Sequence, residues 1–218
     1  MDERYRNTSK IWDQITEQHQ SPLDLDIFDE SLEFLIQSCQ NQNPSILDLG
    51  IRPVNMSKYL CLKSASARLS VSDFSYGMDS LLERNVTEHK KDQIPFNQLS
   101  RFEDEFDIIV NSFGIPYLDE EDISQFISRS YSALCAHGLL YLTYQDKADL
   151  NHKKELDLLR QDQLYYKDFI FNLVDRVGFR RLKNFQVIHT SNEKLISKYE
   201  VLIARKLDIE NEHYKHEK

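Results

Sequence analysis

Apolar positions along this chain come in short bursts whose period switches between about four and two. From Asp26, the residues Phe28, Leu32, Leu35 and Ile36 recur at helical spacing until the polar NQN at 41–43 stops them. Pro44 then opens SILDLG, a continuous apolar run whose end is marked by Asp48 and Gly50, the pattern of a parallel strand buried on both faces. Met56, Tyr59 and Leu60 suggest a helix with Asn55 as its N-cap. RLSVSDF alternates as a strand closing at Asp73, GMDSLLER is helical, and NVTEHKKD is a more polar strand. FDIIVNSF is rich in branched and aromatic residues and predicts another strand. Leu118, Ile123, Phe126, Ile127, Ser130 and Leu134 trace one helical stripe, which Gly138 is expected to end before the strand LLYLTY. The charged stretch from Asp146 to Gln163 is helix-prone with few core positions. After it, Tyr166, Phe169, Ile170, Leu173, Val174 and Val177 form a strong stripe, with Gly178 where a C′ glycine belongs. FRRLKNFQVI and KYEVLIARKL are the last two strands.

Strands alternating with helices predict a mostly parallel, seven-stranded α/β sheet covered on both faces. The last two strands are joined only by HTSNEK. A link that short makes a hairpin, because a parallel crossover needs about a dozen residues. The final strand is therefore expected to run antiparallel. No repeat or second core appears. Residues 41–207 read as one domain, preceded by an N-terminal helical segment over 1–40 and followed by a tail at 208–218 expected to be disordered.

Composition narrows the functional classes. The 218 residues carry a formal charge of −9, which disfavours DNA and other long nucleic acids as partners. No apolar run nears the ~18 residues of a membrane span. MDERYRNTSK has no signal-like stretch, so a cytoplasmic location is the expectation. Cys39, Cys61 and Cys135 are widely spaced and read as core or boundary thiols rather than as a disulfide framework or zinc site. His213 and His216 in the tail are given no role, and no metal is expected. Only five glycines occur, so each is expected where the backbone needs it.

Three carboxylates fall at strand ends, where open α/β sheets bind ligands: Asp48, Asp73 and Asp92. An acidic residue after the second strand can accept from both hydroxyls of a ribose, and Asp92 can accept from an exocyclic amine. Each is equally readable as an ordinary loop or cap carboxylate. The order SILDLG, VSDFSYGM, KDQIPF, FDIIVNSFGIPYLDEED, ALCAHGLLYLTY, DRVGF resembles the class I S-adenosylmethionine-dependent methyltransferases that act on small molecules, over roughly residues 40–206. That resemblance implies a Rossmann-like fold with an antiparallel last strand, S-adenosylmethionine as cofactor with S-adenosylhomocysteine as product, and a small-molecule acceptor. It implies that Asp48 and Gly50 open the cofactor loop, Asp73 holds the ribose, and Phe74, Met78, Asp92, Gln93 and Ile94 surround the adenine. Asn111 and Ser112 would lie under the methionine portion. Tyr117 falls where relatives face the acceptor and is the candidate catalytic residue, with packing at the strand end as its other reading. Tyr5 and Trp12 would belong to a substrate lid, and residues 146–165 fall where relatives insert a substrate cap.

The cofactor loop departs from the family's acidic-x-Gly-x-Gly-x-Gly. Here it reads Asp48-Leu49-Gly50-Ile51-Arg52-Pro53-Val54, keeping only the first glycine. Val54 is β-branched, and φ > 0 would strain it. Two readings follow: an active small-molecule methyltransferase whose loop has its own geometry, or an inactive methyltransferase-like protein, obstructed at Arg52 and Val54, that binds a protein partner or merely a nucleoside. A dinucleotide-binding domain is disfavoured because G-x-G-x-x-G is missing.

Overall fold

The computed structural model describes residues 25–49, 56, 60, 64, 66–72, 96–112, 114–115, 118–146, 167–191 and 194–208. The expected helical stretch at 77–84 and strand at 85–92 lie outside them, as do residues 1–24, the stretch 147–166 and everything after 208.

Six strands form one sheet: β1 (Ser45–Leu49), β2 (Arg68–Ser72), β3 (Phe106–Asn111), β4 (Leu134–Tyr144), β5 (Phe179–Ser191) and β6 (Lys194–Lys206), in the order β2-β1-β3-β4-β6-β5. The first four are parallel, with Ile46 beside Leu69 and Ile108, and Asn111 beside Leu142. β6 inserts antiparallel between β4 and β5, placing Tyr144 opposite Glu200. The antiparallel ending expected from the short link is therefore present, and the hairpin is tighter than its sequence suggests, with only residues 192–193 between the strands.

Among the described residues the helices α1 (Asp29–Ser38), continuing a 3-10 turn at Leu25–Phe28, α2 (Glu120–Ala133) and α3 (Lys167–Val177) cover the sheet. Pleating divides the strand side chains between two layers. Leu47, Leu49, Ile109, Leu140, Leu142 and Leu202 pack with α2 and α3, where Ile123, Phe126, Ile127, Ile170 and Val174 are fully buried. Ile46, Ile108, Val110, Leu139, Tyr141 and Ile203 pack with α1 and with buried Met56 and Leu60. All five residues of β1 are buried, as its unbroken apolar run requires. Each such aliphatic side chain contributes about 1.5–3 kcal/mol. The α1 layer contains a polar clasp: Ser31 Oγ donates to Phe28 O at 2.8 Å and so accepts from the Tyr141 hydroxyl at 2.9 Å.

Local chemistry sets the helix ends. Asp119 caps α2 by accepting from Asp122 N at 2.8 Å, and the acidic first turn Glu120, Glu121 and Asp122 favours the positive end of the helix. Gly178 follows α3 with φ +108, the left-handed conformation expected of a C′ glycine. The stop assigned to Gly138 is a correction. α2 ends at Ala133, and Leu134 already has extended φ/ψ because it pairs with Phe106 as the first residue of β4. The left-handed turn falls on His137, at φ +63, inside β4. Gly138 serves by being small: a Cβ there would stand 2.9 Å from Cys135 O.

Cys39 and Cys135 are free thiols, and burial pushes the pKa of both up. Among the described residues no helix is long and apolar enough to cross a membrane, and no group of three His, Cys, Asp or Glu side chains is placed to hold a metal.

Candidate functional site

The strand order reverses direction at β1. From it the chain goes to β2 on one side and later to β3 on the other. The carboxyl ends of β1 and β3 thus part at a topological switch point, the position where open α/β sheets accept ligands. Asp48, Asn111 and Ser112 gather there. Asp48 is 1% exposed and Ser112 is 1% exposed. Ser112 Oγ stands 3.5 Å from Asp48 Oδ1, and Ser112 N donates to Leu49 O at 3.2 Å, which ties the two strand ends together.

Asn111 is fully buried, and its orientation follows from its neighbours. Its Oδ1 accepts from Gly114 N at 2.9 Å, and its backbone oxygen accepts from Thr143 Oγ1 at 3.3 Å. With Oδ1 committed, Nδ2 is left as a buried donor without a hydrogen-bond partner among the described residues. Leaving such a group unpaired costs about 1–3 kcal/mol. The amide is held tightly: a Cβ on Gly114 would come within 2.6 Å of Asn111 Oδ1, so only glycine permits this close approach. Gly114 was not singled out in the sequence, although its scarcity there was a signal.

A second polar cluster lies at the hairpin, on the sheet face that also carries Asn111 and Leu142. Glu200 is 2% exposed, yet Lys167 Nζ reaches it at 2.8 Å from the first residue of α3. Asn184 Nδ2 and Gln186 Nε2, both from β5, also donate to its carboxylate. Burial alone pushes the Glu200 carboxyl pKa up, but these hydrogen bonds and the Lys167 charge outweigh it and hold the group below its ordinary value. Tyr144, opposite Glu200, is 1% exposed, and its hydroxyl has no partner among the described residues. Burial, reinforced by the Glu200 charge, pushes the phenol pKa well up, so it stays neutral. The sequence signal for Glu200 was a charged residue in phase with the inward positions Leu202 and Ala204.

The other sequence candidates, Gly50, Asp73, Phe74, Met78, Asp92, Gln93, Ile94, Tyr117, Tyr5 and Trp12, lie outside the described residues, as do Arg52 and Val54.

No family model matches the sequence, and no curated protein does. The structure has many likenesses among solved ones. Magnesium protoporphyrin IX methyltransferase from Synechocystis, with bound S-adenosylhomocysteine, superposes with a TM-score of 0.68 at 14% identity, covering 94% of this chain and 100% of that one. The N-methyltransferase NodS from Bradyrhizobium japonicum, in complex with S-adenosylhomocysteine, gives 0.67 at 15% identity over 94% and 99%. The 1,6-didemethyltoxoflavin-N1-methyltransferase from Burkholderia thailandensis, with bound 1,6-didemethyltoxoflavin and S-adenosylhomocysteine, gives 0.66 at 16% identity over 94% and 87%. The fold is thus that of the S-adenosylmethionine-dependent methyltransferases, as the ordered motifs implied.

Proposed function

We propose that this protein is an S-adenosylmethionine-dependent methyltransferase acting on a small molecule. The observation that carries the reading is the buried Nδ2 of Asn111, without a partner among the described residues, at a switch point whose strand ends also carry buried Asp48 and Ser112, in a fold shared with methyltransferases. A donor held this rigidly and left unsatisfied suits a polar ligand that arrives with its own acceptor. The donor set fits the proposed cofactor, whose amino acid portion carries a carboxylate and whose nucleoside carries hydroxyls.

In this reading Asn111 donates to the ligand, and Ser112 and Asp48 close the polar wall beneath it. Asp73 accepts from the ribose hydroxyls, and Asp92 from the adenine amine. Gly50, Phe74, Met78, Gln93 and Ile94 line the nucleoside. When bound, the cofactor supplies an electrophilic methyl group that an oxygen, nitrogen or carbon nucleophile displaces in line. The protein's main contribution is then to position the acceptor and exclude water, which can supply much of the rate without a dedicated base. Tyr117 is assigned to the acceptor side, with Tyr5, Trp12 and the 146–165 stretch around it. The proposed location is the cytoplasm.

Isothermal titration with S-adenosylmethionine and with S-adenosylhomocysteine tests this. One-site saturable binding is expected, weakened in Asp73→Ala by about 1–3 kcal/mol, the scale for hydrogen bonds to a charged group. No heat at millimolar ligand would overturn the reading. An unchanged affinity in the variant would remove Asp73 from the ribose.

A further inference from the structure

At the β5 edge of the sheet two arginines face each other. Arg180 stands directly opposite Arg205 in the β5–β6 ladder. Directly opposite residues share a face of the sheet, with Cβ atoms about 5 Å apart. Here it is the face that α1 covers, because Arg205 Nη2 donates to Ser38 O at 2.9 Å, at the carboxyl end of that helix. The next cation of β5 on this face is Lys183, opposite buried Ile203, since the register slips past Leu182. Like charges directly opposite each other destabilise a ladder.

The nearby charged groups leave this pair unanswered. Lys183 Nζ lies 3.4 Å from Glu30 Oε1 and over the rings of Phe34 and Phe185, which occupies both that lysine and that acid. Asp175 is held by Arg181 Nε at 2.9 Å, on the α3 side. Asp107 accepts from Asn41 Nδ2 and Ser45 N. Arg180 is exposed and Arg205 half-buried, and neither has an ion pair among the described residues. Arg205 Nε is also buried without a hydrogen-bond partner among them. A guanidinium carries five N–H donors, so Arg205 keeps most of its capacity in reserve.

We propose that Arg180 and Arg205 form an anion-binding site for an oxyanion of charge about −2, a phosphate group, free or carried on a small molecule. Two planar forks on neighbouring strands suit one tetrahedral group, and its charge removes the repulsion between them. The chain as a whole carries −9, so an anion has reason to settle only where positive charge is concentrated locally. The site is separate from the switch point on two counts. It lies on the α1 face, whereas Asn111 shares the other face with Ile109 and Leu142. It also lies toward the opposite end of the strands: Arg205 pairs with Leu139, level with Ile108, whereas Asn111 closes β3.

The probe is inorganic phosphate, titrated into the full chain at constant ionic strength and about pH 8, where the dianion dominates. The arginine side-chain NMR signals of Arg180 and Arg205 should shift along one saturable curve, with or without saturating S-adenosylhomocysteine. Acetate, a single charge, should bind about tenfold more weakly or less tightly still. Arg180→Gln should lose about tenfold in phosphate affinity, the scale of one charge-assisted contact. Arg101→Gln, which removes an exposed cation from the 3-10 turn at Phe96–Arg101, should bind as the wild type does. Without anion and at low salt, Arg180→Gln should melt about 1–3 °C above the wild type, because the repulsion is gone. Glycerol 3-phosphate separates the two sources within the assignment: tighter binding than inorganic phosphate marks an ester, and equal binding marks the phosphate group alone. Absence of saturable shifts, full affinity or a lowered melting temperature in Arg180→Gln, or equal affinity for acetate would overturn the assignment. So would an equal loss in Arg101→Gln, the mark of diffuse charge, or shifts that S-adenosylhomocysteine abolishes.

Discussion

The switch point and the hairpin bury polar side chains on the same face of the sheet, and they treat them in opposite ways. At the hairpin, the Glu200 carboxylate receives hydrogen bonds from Lys167, Asn184 and Gln186. At the switch point, Asn111 is just as deeply buried, but its Nδ2 is left without a partner among the described residues while its Oδ1 is clamped by Gly114. The first arrangement holds secondary structure together: one carboxylate joins β5, β6 and the start of α3. The second holds a donor in place without using it. Burial alone does not separate a structural polar group from a binding one, and neither does one unpaired atom, since the Tyr144 hydroxyl and Asn184 Oδ1 beside Glu200 also lack partners among the described residues; what sets Asn111 apart is that its free donor is clamped at the switch point.

The sharpest way to break this comparison is to remove Glu200. Glu200→Ala strands three donors, and a loss of about 3 kcal/mol is expected, toward the low end for a broken buried pair because Lys167 can turn to solvent. Urea denaturation reads it directly, and a loss under 1 kcal/mol would mean that the cluster does not hold α3. Gly114→Ala comes next. Its Cβ would collide with Asn111, so about 1–3 kcal/mol of stability should go, as for overpacked cores. In this variant S-adenosylhomocysteine affinity should fall as well, whereas Glu200→Ala should leave that affinity unchanged wherever the protein is folded.

Acid provides a gentler version of the first test. The folded-state pKa of Glu200 is lowered, so its contribution is fully present above the ordinary carboxylate range near ~4.3 and is lost as pH falls through the lower folded value. Stability of the wild type should therefore fall more steeply than that of Glu200→Gln as the pH drops below about 4, the side of the shift on which the unfolded chain takes up the proton first. Parallel acid profiles would contradict it. The smallest effect is expected for Tyr144→Phe. The phenol oxygen has no partner among the described residues, so thermal unfolding should change by less than about 0.5 kcal/mol, or shift slightly upward. A clear loss would show that the hydroxyl is bonded in solution.

Strand identity was readable because alternation and continuous apolar runs report directly on which faces are buried, and all six described strands fall on such runs. The antiparallel ending was readable from the length of one link. The end of α2 was not, because the stripe through Leu134 is buried whether that residue is helical or extended; pairing with Phe106, a contact distant in sequence, decides it. The site divides in the same way. Asp48 was visible as a carboxylate closing an apolar strand, and Asn111 and Ser112 were implied by the family resemblance. Glu200 was missed, because one charge inside KYEVLIARK looks like an exposed position until the register with Tyr144 and Gln186 turns it inward. Gly114 was missed because its role is a contact with a side chain three residues earlier, which no periodicity records.

The most direct test of the switch-point assignment watches the two buried amides during one titration. In the side-chain amide NMR spectrum, saturation with S-adenosylhomocysteine should move the Asn111 Nδ2 resonances along a one-site curve and leave those of Asn184 in place. An Asn111 amide that does not respond, or a response confined to Asn184, would contradict the account.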